Sequence, residues 1–501
     1  MLSYLIDSRF VKRLQKIKKI FKIFNKKNRS QKQQVIIMNL KKLDYFLIFL
    51  NILIILFIPF LLSNGGIGED FNYYINLADK LPAVEDNLFP LGFPLFLRLF
   101  KEITNEYFYS SILLKLICFL FILWHSYKKQ FYFREVLLLM CLKSTTWIFI
   151  YQCSEYIGLP FLYLFIYSIH QLFSDKISSK KFFITVSILG FILCTIRYAN
   201  VFIFISSLPF VFFLKGYSER IKFTLFSTIV CIGMLLSIYL LFNYLHIGSF
   251  ASESKRINNE TDHFWKDTYV DFIGFINLSN PFFYLKTFDY TTKTKLFLSF
   301  IFIIIDFIFW YISFRLLKKT KNIFVKYLVI VAILNGIITF FAAMAQGIEP
   351  LGIRILFNSS YLFYFALLIV IRENNVLSDK ILFIICLLSL VYNCCFIVKI
   401  PSNFLFYKHA VEKVAQNKSS LPKYYFDDDE KVIETVYTIP IINKTFYYTH
   451  ENKQPNYIYK AILRLINPSI IFLDKAPQEN NSEIIYSSEI NNFIEHKKSA
   501  D

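Results

Sequence analysis

Apolar runs long enough to cross a bilayer recur through the first four fifths of this 501-residue chain, and nothing else in the sequence restricts its fold as strongly. In hydrocarbon every backbone N–H and C=O must find a partner within its own segment or in a closed barrel, so long runs of Phe, Ile and Leu predict helices. Spans are expected near 45-63, 110-126, 136-152, 156-173, 182-196, 200-214, 223-243, 296-314, 325-343, 355-371 and 381-398. The chain is therefore expected to be mainly α, a polytopic helical membrane protein of about 11 spans. Hydrophobic residues make up 55% of it and aromatic residues 19%, more than a soluble globular domain carries.

An odd number of spans puts the termini on opposite faces, and the short links test this. Lys128, Lys129 and Arg134, then Lys176, Lys180 and Lys181, then Lys215, Arg220 and Lys222 all fall on the side of the N-terminal arm. So do Arg315, Lys318, Lys319 and Lys321, and finally Arg372 and Lys380. The block 182-214 is too long for one untilted helix and short for two; splitting it at Arg197 to Asn200 preserves the alternation. The arm itself, residues 1-43, has Lys or Arg at about a dozen positions against one acid, Asp7, and reads as a basic cytoplasmic segment before an uncleaved anchor. The formal charge of +19 would suit a nucleic-acid binder, but these positions orient helices, so no nucleic-acid partner is expected and the arm instead faces membrane lipids. All eight cysteines lie in or beside apolar segments, which implies neither a disulfide framework nor a zinc site.

This topology sets Ser63 to about Tyr109, the Glu155, Arg197 and Arg354 turns, His246 to Lys295 and everything after about Ile400 on the opposite, extracytoplasmic side. Residues 44-400 form the transmembrane domain, with external loop 1 at 64-109. Residues 401-501 alternate apolar and polar stretches, as in "KVIETVYTIPIINKTFYYT", and include the helical pattern "YIYKAILRLI". They are expected to form a small α+β extracytoplasmic domain with a polar tail.

External loop 1 carries the two adjacent carboxylates Glu69 and Asp70 at the head of "DFNYYINLADKL", where Phe71, Tyr74, Ile75 and Ala78 share a helical face suited to the membrane surface. Asp70 fits the N-cap of that helix; it also fits a general base for an incoming hydroxyl, tuned by low dielectric and nearby cations. The following "DNLFPLGFPLFLRLF" has a second apolar patch too short to span, expected to lie along the interface. Arg197 and Arg354 stand near the outer interface, at the depth of a lipid phosphate that a guanidinium fork grips well, although snorkelling to ordinary headgroups explains each alone. Lys115 lies two turns inside the second span, while Lys143 and Asp306 are nearer mid-membrane and should pair with each other or with backbone groups unless they mark an ion pathway. The Asp-x-Asp spacing in "FDDDE", Phe426 to Glu430, reads as a solvated turn, and the sequons at Asn259, Asn277, Asn417 and Asn443 matter only if the host glycosylates.

A loop of two interfacial helices between the first two spans, with an acid near its start, resembles the first external loop of the GT-C glycosyltransferases, multispan enzymes that use polyprenyl-phosphate sugars. "YQCSEYIGLPF" with Glu155 is similar to a Ser-Glu element of several such mannosyltransferases, "GFILCTIRYANVFIF" to their Gly-rich span ending in Arg and an aromatic, and "EPLGIRILFNSSYLF" to the Arg before their last helices. There is no "WWDYG" element, which disfavours an oligosaccharyltransferase, and "RILFN" stands where a "RYLLP"-like pattern is usual. The resemblance implies Asp70 as the catalytic residue with Glu69 beside it, donor phosphate held by Arg197, Arg354 and Lys115, and Glu155 and Tyr198 as substrate-binding residues. It implies a sugar donor on polyprenyl phosphate and a glycan, lipid or protein acceptor in the cell envelope. No cofactor is required, and a divalent metal is compatible with the acid pair. The expected location is a bacterial cytoplasmic (inner) membrane. Two other classes fit parts of the sequence: an O-antigen polymerase or ligase, for which the 246-295 loop offers only Arg256, His246 and His263, and a transporter or non-catalytic membrane protein.

Overall fold

The computed structural model describes residues 42-62, 65-84, 87-213, 219-252, 264-282, 293-345, 351-398, 404-405, 423-427, 446-450, 470-473 and 483-486. The basic arm to residue 41, the helical pattern at 457-466, most of "FDDDE", the polar tail, the Glu69 side chain and the sequons at Asn259, Asn417 and Asn443 lie outside the described residues.

Among the described residues eight helices are long and apolar enough to cross a membrane. They are α1 (Lys42–Phe57, prolonged by a 3-10 turn to Leu61), α4 (Tyr107–Lys129), α7 (Glu155–Phe173), α8 (Ser179–Ile196), α10 (Glu219–Ile247), α12 (Lys293–Lys318), α13 (Ile323–Ala345) and α15 (Asp379–Ile397). The protein is thus a mainly helical, multi-pass membrane protein. The apolar faces of α10 and α12, with Phe223, Met234, Leu245, Phe297, Phe307 and Phe314 exposed, are the lipid-facing side expected where hydrocarbon replaces water as solvent.

Three of the eleven expected spans take a different form. Segment 136-152 is two short helices, α5 (Phe133–Leu139) and α6 (Lys143–Ile150), interrupted where Leu142 turns to extended backbone at ψ 160. The interruption exposes the first-turn N–H of Lys143, and the Pro281 carbonyl accepts it at 3.0 Å. Segment 200-214 is α9 (Val201–Phe213), 13 residues, and segment 355-371 is α14 (Phe357–Glu373), 17 residues. At 1.5 Å per residue α14 reaches about 25 Å. It is buried from Ser359 through Val370, so protein rather than lipid sets its length.

Polar contacts sort the helix ends into two sets. At the end where α1 begins, Arg134 pairs with Asp44 at 3.5 Å and Asp379 at 3.1 Å, and Arg372 pairs with Glu135 at 2.6 Å, joining the starts of α1, α5 and α15 to the end of α14. Asn322 donates to Glu373 at 2.8 Å, bringing in the start of α13. The opposite ends carry the first loop, whose helices are α2 (Glu69–Lys80) and α3 (Gly92–Thr104).

The N-cap of α2 is Gly68, with no side-chain cap, so Asp70 is the second helical residue and not the cap. Its face Phe71, Tyr74, Ile75 and Ala78 is buried as a set, but against protein: Tyr74 packs on Phe89 and Phe93 with centroids 4.8 Å apart in both pairs. Burying such a ring is worth about 1.5–3 kcal/mol, which anchors α2 over the helix ends. Helix α3 buries Phe93 and Leu97 and leaves Leu95, Leu99 and Ile103 exposed along one stripe, the pattern of a helix lying in the interface.

Part of the expected 246-295 loop, within residues 264-282, enters the bundle. Helix α11 (Phe264–Ile276) and a 3-10 turn at Asn277–Ser279 carry Asn277, Ser279 and Asn280 into the interior, where each finds a partner. Lys143 Nζ donates to the Asn277 carbonyl at 2.9 Å and to its Oδ1 at 2.7 Å; Asn277 and Asn280 donate to Asp306 at 3.0 and 2.7 Å. Lys143 and Asp306 are therefore joined through Asn277, so a buried cation and a buried anion are both hydrogen-bonded. The Asn277 sequon is buried here. In the C-terminal region four strands, β1 (Lys423–Asp427), β2 (Phe446–His450), β3 (Ile470–Leu473) and β4 (Glu483–Tyr486), pair in parallel in the order β3-β2-β1-β4.

Candidate functional site

Four helix ends bring four charged side chains together. Glu155 is the first residue of α7, where a carboxylate meets the positive end of the helix dipole. Arg197 ends α8, in extended backbone (φ −153, ψ 125) that turns the chain into Tyr198–Asn200 and α9. Arg354 lies in the turn before α14, and Asp70 in the first turn of α2.

Arg354 Nη2 pairs with Asp70 Oδ2, and Arg354 Nε donates to Glu155 Oε1 at 3.1 Å. Arg197 Nη1 donates to the same Glu155 Oε1 and to the Arg354 carbonyl at 3.3 Å. One carboxylate oxygen thus binds both guanidiniums. The side chain of Glu155 is 3% exposed, against 18% for Arg197, 20% for Arg354 and 23% for Asp70, so Glu155 is closed to any ligand and the other three are open to one. Two carboxylates face two guanidiniums, and the cluster is electrically neutral. Burial lowers the Arg354 guanidinium to about 10, which still leaves it a cation at neutral pH.

Further polar groups hold the cluster in register. Asn358 donates to Asn200 Oδ1 at 2.7 Å, fixing the first turn of α14 against the turn after Arg197. Asn200 in turn donates to the Leu193 carbonyl at 2.7 Å. The Leu351 N–H donates to Asp271 Oδ1 at 2.8 Å, and a Cβ on Gly274 would sit 1.9 Å from the Leu351 carbonyl oxygen, so α11 braces the approach to Arg354 at a distance only glycine permits. On the Asp70 side, Gln152 donates its N–H to the Gly66 carbonyl at 2.8 Å and its Nε2 to the Gly65 carbonyl at 3.1 Å, joining the turn before Glu155 to the turn before Asp70. Gly66 has φ +72, a conformation that favours glycine. Behind Glu155, Tyr74 donates to Ser154 Oγ at 3.3 Å; burial pushes the phenol up, so it is a proton donor at neutral pH.

The structure brings Asp70, Glu155, Arg197 and Arg354 together and places two other expected site residues elsewhere. Lys115 is buried, donates to the Ile150 carbonyl at 3.1 Å and lies over the Tyr156 ring at 5.3 Å; none of its described contacts is with the cluster. Tyr198 donates to the Asn87 carbonyl at 3.3 Å and accepts from Asn243 Nδ2 at 3.0 Å. Asn87 also bonds Ser249 and Ser252, so Tyr198 belongs to a knot joining the first loop to the residues after α10. Gln152, Asn200, Asp271 and Asn358 are not singled out by sequence reading; their one signal is that each is a polar residue at the edge of an apolar run. No group of metal-ligating side chains occurs among the described residues. No known protein family, curated protein or solved structure matches the chain.

Proposed function

We propose that the protein is an integral-membrane glycosyltransferase that moves a sugar from a polyprenyl-phosphate donor to an acceptor hydroxyl. The observation that carries this reading is the convergence of Asp70, Glu155, Arg197 and Arg354 from four separate segments onto one end of the helix bundle. Two guanidiniums beside a reachable carboxylate have the chemistry the transfer needs. Arg forks match phosphate oxygens and neutralise a leaving phosphate, while the carboxylate accepts the proton of the attacking hydroxyl. Holding donor and acceptor together makes a single inverting displacement at the anomeric carbon effectively unimolecular. In this reading Asp70 is the base and Arg197 and Arg354 hold the donor phosphate. Glu155, shielded from ligand, fixes the two arginines, and Lys115 and Tyr198 act on the packing around the site. Glu69 stands beside the base.

Counting α9, α14 and the α5–α6 pair as crossings gives eleven spans. The basic links then put the N-terminus in the cytoplasm of a bacterial cell, and the site and the C-terminal residues, as a small α+β domain, outside the inner membrane. A polyprenyl donor enters there from the outer leaflet, and the acceptor is a glycan, lipid or protein of the envelope. A transporter reading has one observation in its favour, the buried Lys143 and Asp306, but their hydrogen bonds with Asn277 and Asn280 suit an anchor for α11 better than a moving ion. Asp70→Asn tests the enzyme reading: sugar transfer from a purified polyprenyl-phosphate donor should fall by a factor of about 100 or more in a protein that remains folded. Full retained transfer rules out Asp70 as the base.

A further inference from the structure

We infer that Asp70 is an internal competitor for the anion the site receives, so that a phosphate must take Arg354 from Asp70 before Asp70 can act. The identity of the anion rests on the glycosyltransferase reading; the competition rests on geometry alone. Without ligand the two described carboxylates of the cluster pair with its two guanidiniums, and a further anion gains Arg354 Nη2 only by displacing Asp70. The two carboxylates are unequal. Glu155 is 3% exposed and takes both arginines on one oxygen, whereas Asp70 is 23% exposed and takes a different nitrogen of Arg354, Nη2.

A ligand phosphate that takes the place of the more exposed Asp70 meets Nη2, while Glu155 stays shielded from it. Arg354 can therefore keep its Nε on Glu155 as a pivot and exchange Asp70 for phosphate at Nη2. Arg197 uses Nη1 on Glu155 and on the Arg354 carbonyl, which fixes its plane. Its remaining N–H groups have no partner among the described residues and can turn to the same phosphate. Once released, Asp70 loses its cation and stands beside a like charge, and both changes make it a better proton acceptor. The base is thus armed by the donor, and the donor binds first.

This separates binding from transfer at one residue. A carboxylate that merely braces Arg354 would, on removal, loosen the arginine and weaken anion binding. A competing carboxylate would do the opposite. Full-length protein in detergent is titrated with farnesyl phosphate by calorimetry, using the wild type, Asp70→Asn and, in case the amide perturbs folding, Asp70→Ser. Both variants are expected to bind about 10-fold tighter, one partner of a partly exposed charge pair having been removed from the competition. Farnesol should show no such gain. Inorganic phosphate should tighten in parallel, which assigns the effect to phosphate itself, while tightening confined to phosphatidylglycerol would mark a headgroup site and overturn the donor assignment. Unchanged or weaker farnesyl phosphate binding in both variants, or none by the wild type, overturns the inference. If the variants bind tighter but the wild type transfers no sugar from any polyprenyl-phosphate donor, the enzyme reading falls and the competition stands.

Discussion

Glu155→Gln isolates the charge that holds the two arginines together. The side chain keeps its size and one carbonyl oxygen, so Arg197 and Arg354 can still donate to it, but each bond loses the charge on its acceptor while the guanidinium keeps its own. Bonds to a charged group contribute roughly 1.5–3 kcal/mol and neutral ones roughly 0.5–1.5, and because the donors stay charged the difference of about 1 kcal/mol per bond, about 2 kcal/mol for the pair, is the upper figure. The arginines are about a fifth exposed, and water then offsets part of this, which keeps the loss below the roughly 3–5 kcal/mol of an uncompensated buried charge. Glu155→Ala removes the acceptor as well and should approach that larger figure. Equilibrium unfolding in mixed micelles measures both variants, and Asp70→Asn provides a more exposed carboxylate for comparison. A loss under about 0.5 kcal/mol for Glu155→Gln, the range of ordinary surface substitutions, would refute the claim that one shared oxygen organises the cluster.

Lys143→Met should destabilise by about 2–4 kcal/mol because it strips the Asn277 carbonyl and side chain of a donor and leaves Asp306 without its linked cation. The double variant with Asp306→Asn should cost less than the sum of the two singles, read by the same unfolding assay. Gly274→Ala puts a methyl 1.9 Å from the Leu351 oxygen, so α11 must move away; a loss of about 1–3 kcal/mol with weaker farnesyl phosphate binding is expected, and unchanged binding would show that α11 does not set Arg354. A reporter fused after Ile400 should be accessible from the side opposite the N-terminal arm; a reporter on the same side as the arm would remove one of the three shorter crossings.

Helix-forming segments were legible because their cause is local. Apolar runs bounded by polar turns define α1, α4, α7, α8, α10, α12, α13 and α15 with no knowledge of neighbours. The α5–α6 interruption was not legible, since it depends on Pro281, far away in sequence, accepting the Lys143 N–H. The same holds for the inward course of Asn277 to Asn280, whose polarity reads as loop until Lys143 and Asp306 are placed beside it. Lys115 and Tyr198 had the right depth for the site, but depth does not specify direction around a helix axis.

What the sequence determined by itself is that charged residues stand at the ends of apolar helices, with Asp70, Glu155, Arg197 and Arg354 at segment ends that alternate with basic links. This follows from the cost of carrying charge and unpaired backbone through hydrocarbon, a property of each segment separately. Only the tertiary structure decided which of these charges meet. Glu155 joins Arg197 across 42 residues and Arg354 across 199, and no local pattern encodes such distances. It also decided their division of labour. Packing seals Glu155 behind two arginines while leaving Asp70 more exposed on Nη2 of one of them, and it is this difference in solvent access, absent from the sequence, that separates the fixed carboxylate from the displaceable one.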